Sequence, residues 1–266
     1  MPHPREPRPR RRPRRRPPIG GAFVAAILAA GLAAPLASAT DRERPPVPGG
    51  GPEGGSTFFF FDTTQFIDFD FTFFPTHFGL GDLDADGAPE LVVTGRNGEG
   101  VIAIFPGVAG SGGPFGPPEL VSIGAQTNTV ALHDLDGDGV LDMVLGIRAR
   151  PGRVAILDGV GDGTFSGRRD VSLVRDAAEV RVTDVDGDGD PDIVACVYGS
   201  GDAAILLSDG AGGFTPPRSI PLGLALRAPA RPFWVESGDL DGDGSSELLY
   251  SLAGSGHLAI LPGGER

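Results

Sequence analysis

The chain has 266 residues, 22 basic against 35 acidic, with one cysteine and a net charge of −13. All basic residues are arginine, and a lone cysteine excludes an intramolecular disulfide. The negative balance makes nucleic acid an unfavourable partner, and the length allows one or two domains.

Residues 1–16 carry eight arginines among many prolines, Ala22–Pro35 is an almost unbroken apolar run, and Ala37-Ser38-Ala39 fits a small-x-small cleavage site. Basic, apolar, then small is the order of a secretory signal, and the run is short for a bilayer span. We therefore expect residues 1–39 to be a signal peptide, the mature chain to carry no membrane span, and the protein to be secreted, periplasmic or on the cell surface. Residues 40–55, charged and then Gly-rich, read as a flexible leader. Without the signal, 14 Arg face 34 acids, a net of −20, but 16 of those acids stand at positions 1, 3, 5 and 9 of four loops and the balance without them is −4. The acidity is local and does not call for cationic partners.

Residues 58–78 hold ten of the 16 phenylalanines, with Phe69, Phe71 and Phe73 alternating at period 2. This predicts a strand with one apolar side, although the run Phe58–Phe61 must turn some rings outward. Beyond it, one acidic design recurs four times: Asp82-Leu83-Asp84-Ala85-Asp86-Gly87-Ala88-Pro89-Glu90, and its counterparts at 134–142, 184–192 and 239–247. Carboxylates at alternate positions of a tight loop converge, and a glycine permits the sharp turn. Such a cage repels itself by several kcal/mol at intermediate dielectric unless a hard cation of the Ca²⁺ type sits in it. An EF-hand is excluded, because loop position 12 is Val93, Leu145, Ala195 and Tyr250, where a bidentate Glu is required. Merely solvated hairpin tips would not fill the same five positions four times.

The first aspartates stand 52, 50 and 55 residues apart, a period of repeat architectures. Each period reads as four short strands: an alternating stretch into the loop (Thr129–His133), an apolar run out of it (Ile193–Ala195), a second run after a Gly-rich turn (Val101–Phe105), and a closing strand after a Gly-x-Phe element (Gly163-Thr164-Phe165). Outside the signal no long amphipathic helix is predicted. The expected fold is all-β, a β-propeller of four-stranded antiparallel blades over residues 56–266, with four blades. The chain ends one strand short after Leu258–Leu261, while Gly55-Ser56-Thr57-Phe58 supplies a Gly-x-x-Phe element, so the N-terminal strand is expected to close the last blade. Part of a longer or dimeric ring is the competing arrangement.

These blocks, Asp-x-Asp-Gly-Asp-Gly-x-x-Asp followed by a strand, resemble the FG-GAP/VCBS repeats of integrin-α-like calcium-binding propellers. The resemblance covers roughly residues 55–266. It implies one Ca²⁺ per loop, about four in all, held by the side chains of positions 1, 3, 5 and 9 and the carbonyl of position 7. Those are Asp82, Asp84, Asp86, Ala88 and Glu90; Asp134, Asp136, Asp138, Val140 and Asp142; Asp184, Asp186, Asp188, Asp190 and Asp192; Asp239, Asp241, Asp243, Ser245 and Glu247. Ala85 departs from the glycine of the other copies, and Asp190 adds surplus charge.

No catalytic residue is nominated. His77, His133 and His257 stand at dissimilar places, and no phosphate-cradling loop precedes a helix. We expect a non-enzymatic binding or adhesion module for an extracellular glycan or protein. The loops opposite the metal face carry Arg96, Arg148, Arg150, Arg153, Arg175, Arg227 and Arg231, which favours an anionic ligand anchored by Arg148, Arg150 and Arg153. The alternatives are a polysaccharide hydrolase or lyase using the propeller mouth, and a purely structural surface module.

Overall fold

Short apolar runs broken by Gly and Asp turns form fifteen β-strands and, among the described residues, no helix. The computed structural model describes residues 67, 73–96, 100–108, 115–223 and 229–264, all but Ile67 in one structural unit. The signal and leader expectations, and the expected closing strand at 55–58, lie outside the described residues.

The strands make four antiparallel sheets, the four blades of a β-propeller. Blade 1 is β1 (Phe74–Gly81), β2 (Glu90–Arg96), β3 (Val101–Phe105) and β4 (Glu119–Ser122). Blade 2 is β5 (Thr127–His133), β6 (Asp142–Ile147), β7 (Arg153–Gly159) and β8 (Phe165–Ser172). Blade 3 is β9 (Ala177–Thr183), β10 (Asp192–Val197), β11 (Asp202–Leu206) and β12 (Arg218–Pro221). Blade 4 is β13 (Pro232–Gly238), β14 (Glu247–Leu252) and β15 (His257–Leu261), three strands among the described residues. In each blade, neighbours in sequence are neighbours in the sheet, as short turns require.

Radial packing explains why the second strands are apolar throughout. All six residues of β6 and of β10 are buried, since each strand faces a neighbouring blade on both sides. Val92, Ile102 and Ile104 of blade 1 pack on Met143, Leu145 and Ile147 of blade 2. The reverse face of blade 2, with Val144, Val154 and Ile156, packs on Ile193, Ala195 and Leu206 of blade 3. Val194, Cys196 and Ile205 then meet Val235, Leu248 and Tyr250 of blade 4. Cys196 is thus a core residue; burial pushes its thiol above the ordinary range and keeps it protonated. The face of blade 1 away from blade 2 carries a smaller cluster of Val93, Ala103 and Phe105 against Phe73.

The inner strands β1, β5, β9 and β13 pack in series around the axis, and each carries a bulge at the same place. The register shifts between Pro75 and His77, Thr127 and Thr129, Ala177 and Glu179, and Pro232 and Trp234. The residue skipped, Thr76, Asn128, Ala178 or Phe233, stands six positions before the first aspartate of its loop. A bulge bends its strand and re-aims the next side chain. Two of the skipped residues also link blades: Thr76 Oγ1 donates to the Asn128 carbonyl at 3.1 Å, and Asn128 Nδ2 donates to the Ala177 carbonyl at 2.9 Å.

Candidate functional site

The four acidic loops join the first and second strands of their blades, so all lie on one face of the propeller. Each is wound by its own aspartates. Position 1 accepts the N–H of the position-6 glycine: Gly87 to Asp82 at 3.0 Å, Gly139 to Asp134 at 2.8 Å, Gly189 to Asp184 at 2.9 Å and Gly244 to Asp239 at 3.1 Å. Position 5 accepts the N–H two residues on, from Ala88, Val140, Asp190 and Ser245, at 2.8–3.0 Å. Local Asx bonds of this kind fold acyclic aspartates into a ring of oxygens.

The winding needs left-handed backbone at positions 4 and 6, where glycine is free of the Cβ clash. Gly137, Gly187 and Gly242 have φ of 73°, 77° and 81°, but the first loop holds Ala85 at 59°. Its left-handed strain of about 1–2 kcal/mol exceeds the extra chain entropy of glycine, about 0.5–1 kcal/mol. Ala85→Gly is therefore expected to stabilise the protein by about 0.5–1 kcal/mol in urea unfolding; a loss of stability would show that the loop relaxes around alanine.

Carboxylate oxygens of Asp134, Asp136 and Asp142 come within 4.8 Å of one another, as do those of Asp184, Asp186 and Asp192, and of Asp239, Asp241 and Glu247. In the first loop the group is Asp82, Asp84 and Asp86. The structure thus gathers positions 1, 3 and 9 in three copies and 1, 3 and 5 in the other, while the position-7 residues present their N–H to position 5. Burial, with Asp138 and Asp134 nearby, raises the pKa of Asp136; burial also raises those of Asp142 and Asp192. Converging oxygens that resist bearing charge alone fit a hard cation, so these clusters can hold a metal ion.

Position 9 does a second job that the sequence does not announce. One oxygen accepts the N–H of loop position 2: Leu83 to Glu90 at 2.6 Å, Leu135 to Asp142 at 3.0 Å, Val185 to Asp192 at 2.9 Å and Leu240 to Glu247 at 2.6 Å. The other accepts an N–H at or beyond the end of the third strand, from Gly107, Gly159, Ser208 and Gly263. These four acids are buried, and each ties its loop to the next turn of the same blade. Loops also reach the following blade: Gly163 donates to the Leu83 carbonyl at 3.1 Å and Gly264 to that of Val185 at 2.9 Å.

A family model described as FG-GAP-like repeat matches residues 82–145, 134–195 and 184–250, each span running from one acidic loop into the second strand of the next blade. The chain belongs to the FG-GAP-like repeat family. No curated protein matches it. Among solved structures, this FG-GAP-like chain is similar to a Photorhabdus luminescens Tc holotoxin pore carrying a TccC3-D651A mutation (19% identity, TM-score 0.43, 69% of this chain and 9% of that one). It is also similar to an Agrocybe aegerita lectin described as recognising non-reducing terminal N-acetylglucosamine (18%, 0.45, 70% and 52%) and to BBS1N in complex with ARL6DN (13%, 0.36, 74% and 65%). The chain spans less than two thirds of the length of each.

The opposite face of the FG-GAP-like propeller holds the arginines assigned to it, with Arg227 outside the described residues. Two of the three expected anchors already face carboxylates: Arg148 Nε lies 3.9 Å from Asp176 and Arg153 Nη1 3.2 Å from Asp170. Arg231 lies over the Tyr198 ring at 5.9 Å.

At the axis the structure gathers a group that sequence reading left scattered. His77 Nε2 lies 3.2 Å from Glu179 Oε1, and the same oxygen accepts from Arg181 Nη1. Arg181 stacks over Trp234, 4.7 Å from the ring centroid, and its Nη2 is 3.8 Å from Glu236. His77 meets the Trp234 ring at 6.0 Å. His133 lines the same cleft. The signal was present in the repeats: aligned on their loops, His77, Thr129, Glu179 and Trp234 all stand five residues before the first aspartate.

Proposed function

We propose that this protein is a calcium-stabilised β-propeller, exported from the cytoplasm, that serves as a non-enzymatic binding module for an extracellular glycan or protein. The observation that carries the reading is the fourfold repetition of one preorganised carboxylate loop on one face of a blade ring. All-oxygen, multi-carboxylate loops suit Ca²⁺, and extracellular modules need only affinities of about 10⁻⁴–10⁻³ M. The basic, apolar and small-residue order of residues 1–39 supports export. Four calcium loops holding a ring of blades leave the strand-joining turns and the axis as rigid presenting surfaces. The ion pairs at Arg148 and Arg153 weigh against an anionic ligand held mainly by those arginines.

Equilibrium dialysis of the secreted protein against radioactive calcium is expected to give about four ions per chain at millimolar concentration. The calcium-loaded protein is expected to be retained by an immobilised glycan or extracellular protein without releasing new reducing or unsaturated ends. Zero bound calcium overturns the metal reading, and catalytic release of such ends overturns the non-enzymatic one.

A further inference from the structure

We propose that the axial cleft is a binding site for a neutral sugar ring, with Trp234 as the platform and Arg181 and Glu236 as partners for its hydroxyls. The inference rests on the binding-module reading and names the site and ligand class for it.

The cleft encloses about 620 Å³ between the inner strands of the four blades. That is the size of an ordinary small-ligand site, enough for one or two hexose units. Trp234 lines it and is 41% exposed, while Phe78, on β1 across the cleft, is 66% exposed. Large rings are normally buried in a folded strand, and rings left open in a concave surface form a flat apolar floor. The polar groups are of both kinds: the Arg181 guanidinium lines the cleft and donates, and the exposed Glu236 carboxylate, 3.8 Å from Arg181 Nη2, accepts.

Charge then selects among ligands. Arg181 faces Glu179 and Glu236, so the cluster has no cationic excess with which to hold an anion. A cation is disfavoured because the Arg181 guanidinium, 4.7 Å from the Trp234 ring centroid, repels it, whereas a neutral ring carries no charge to be repelled. A wholly apolar ligand would strip water from Arg181 and Glu236 and return no hydrogen bonds. A pyranose meets each demand, with a face of C–H groups for the indole and an edge of vicinal hydroxyls for a donor and an acceptor. The site is also preorganised. Glu179 is buried and fixes both Arg181 and His77, and the bulges that aim His77 and Glu179 are braced by the Thr76 to Asn128 and Asn128 to Ala177 hydrogen bonds.

Trp234 is the only tryptophan in the chain, so its emission reports on the cleft alone. The calcium-loaded protein is titrated with maltotriose, cellotriose, mannotriose and chitotriose, with digalacturonate as an anionic comparison, up to about 20 mM each, which covers millimolar affinities. The expected result is a saturable shift with at least one neutral saccharide. By calorimetry, Trp234→Phe and Arg181→Met are expected to weaken it by about tenfold or more, and Arg148→Ala to leave it unchanged. Glu236 is an exposed residue, so Glu236→Gln gives a variant that keeps the fold and is expected to weaken binding too. No saturable shift with any neutral probe overturns the proposal, as does a stronger response to digalacturonate. Saccharide binding that persists in Arg181→Met and Glu236→Gln overturns the cleft while leaving the binding-module reading intact.

Discussion

Chelation of divalent ions is expected to lower the melting temperature of the protein by about 10–20 °C, and millimolar Ca²⁺ to restore it. The size follows from the loops. At a tenfold excess of ion over its dissociation constant, each site contributes about 1.4 kcal/mol, and four contribute about 5–6 kcal/mol. For a domain of about 200 residues each kcal/mol is worth about 2–4 °C. An ion bound there would act through the fold and not only on the loop, because the Leu83 and Val185 carbonyls of these loops accept hydrogen bonds from the following blade. A melt indifferent to chelator would mean that the clusters hold no stabilising ion.

Proton and metal compete for the same oxygens, which fixes the direction of the pH effect. Burial raises the pKa values of Asp142 and Asp192, and burial with neighbouring aspartates raises that of Asp136. A carboxyl whose folded pKa lies above its unfolded value contributes stability that is fully present below the unfolded value and is lost as pH rises through the folded one. The metal-free protein therefore gains stability from these groups as pH falls from neutrality toward the carboxylate range. The calcium-loaded protein loses stability over the same window, since protonation expels the ion. Melts with and without chelator are expected to converge on acidification; a constant gap would show that other groups hold the ion.

The repeat made most of the fold legible. The loop period placed four blades, and runs such as Val101–Phe105 and Ile193–Ala195 fall inside β3 and β10 because burial on both faces demands continuous apolar residues. What stayed hidden depends on partners without a sequence mark. The position-9 acids bond to backbone N–H groups such as Gly107 and Ser208, 17 and 16 residues away, and any residue but proline supplies that donor. The bulged residues Thr76, Asn128, Ala178 and Phe233 share a position and no chemistry. The axial cluster has no mark among the histidines themselves, which stand far apart in the chain; only the loop alignment sets His77 in one column with Glu179 and Trp234. Loop position sets the face on which an arginine stands but carries no sign that Asp170 and Asp176 lie beside Arg153 and Arg148.

Asp192→Ala destabilises the protein by about 3–5 kcal/mol even when no metal is present. Asp192 is 1% exposed and accepts from Val185 N–H at 2.9 Å and Ser208 N–H at 2.8 Å. Removing the carboxylate leaves two backbone donors near the blade 3 core without an acceptor, each costing about 1–3 kcal/mol. Asp192→Asn does not rescue, because its amide offers one acceptor and sets an N–H donor against the second backbone N–H. Asp138→Ala provides the contrast. Asp138 is exposed and accepts locally from Val140 and is one of the side chains expected to hold the ion, so its loss is felt chiefly when calcium is bound. Urea unfolding of both variants in chelator and in calcium separates the two roles. A position-9 acid that serves only as a ligand makes Asp192→Ala silent in chelator, whereas one that pins the loop to the third-strand turn makes the loss nearly independent of calcium.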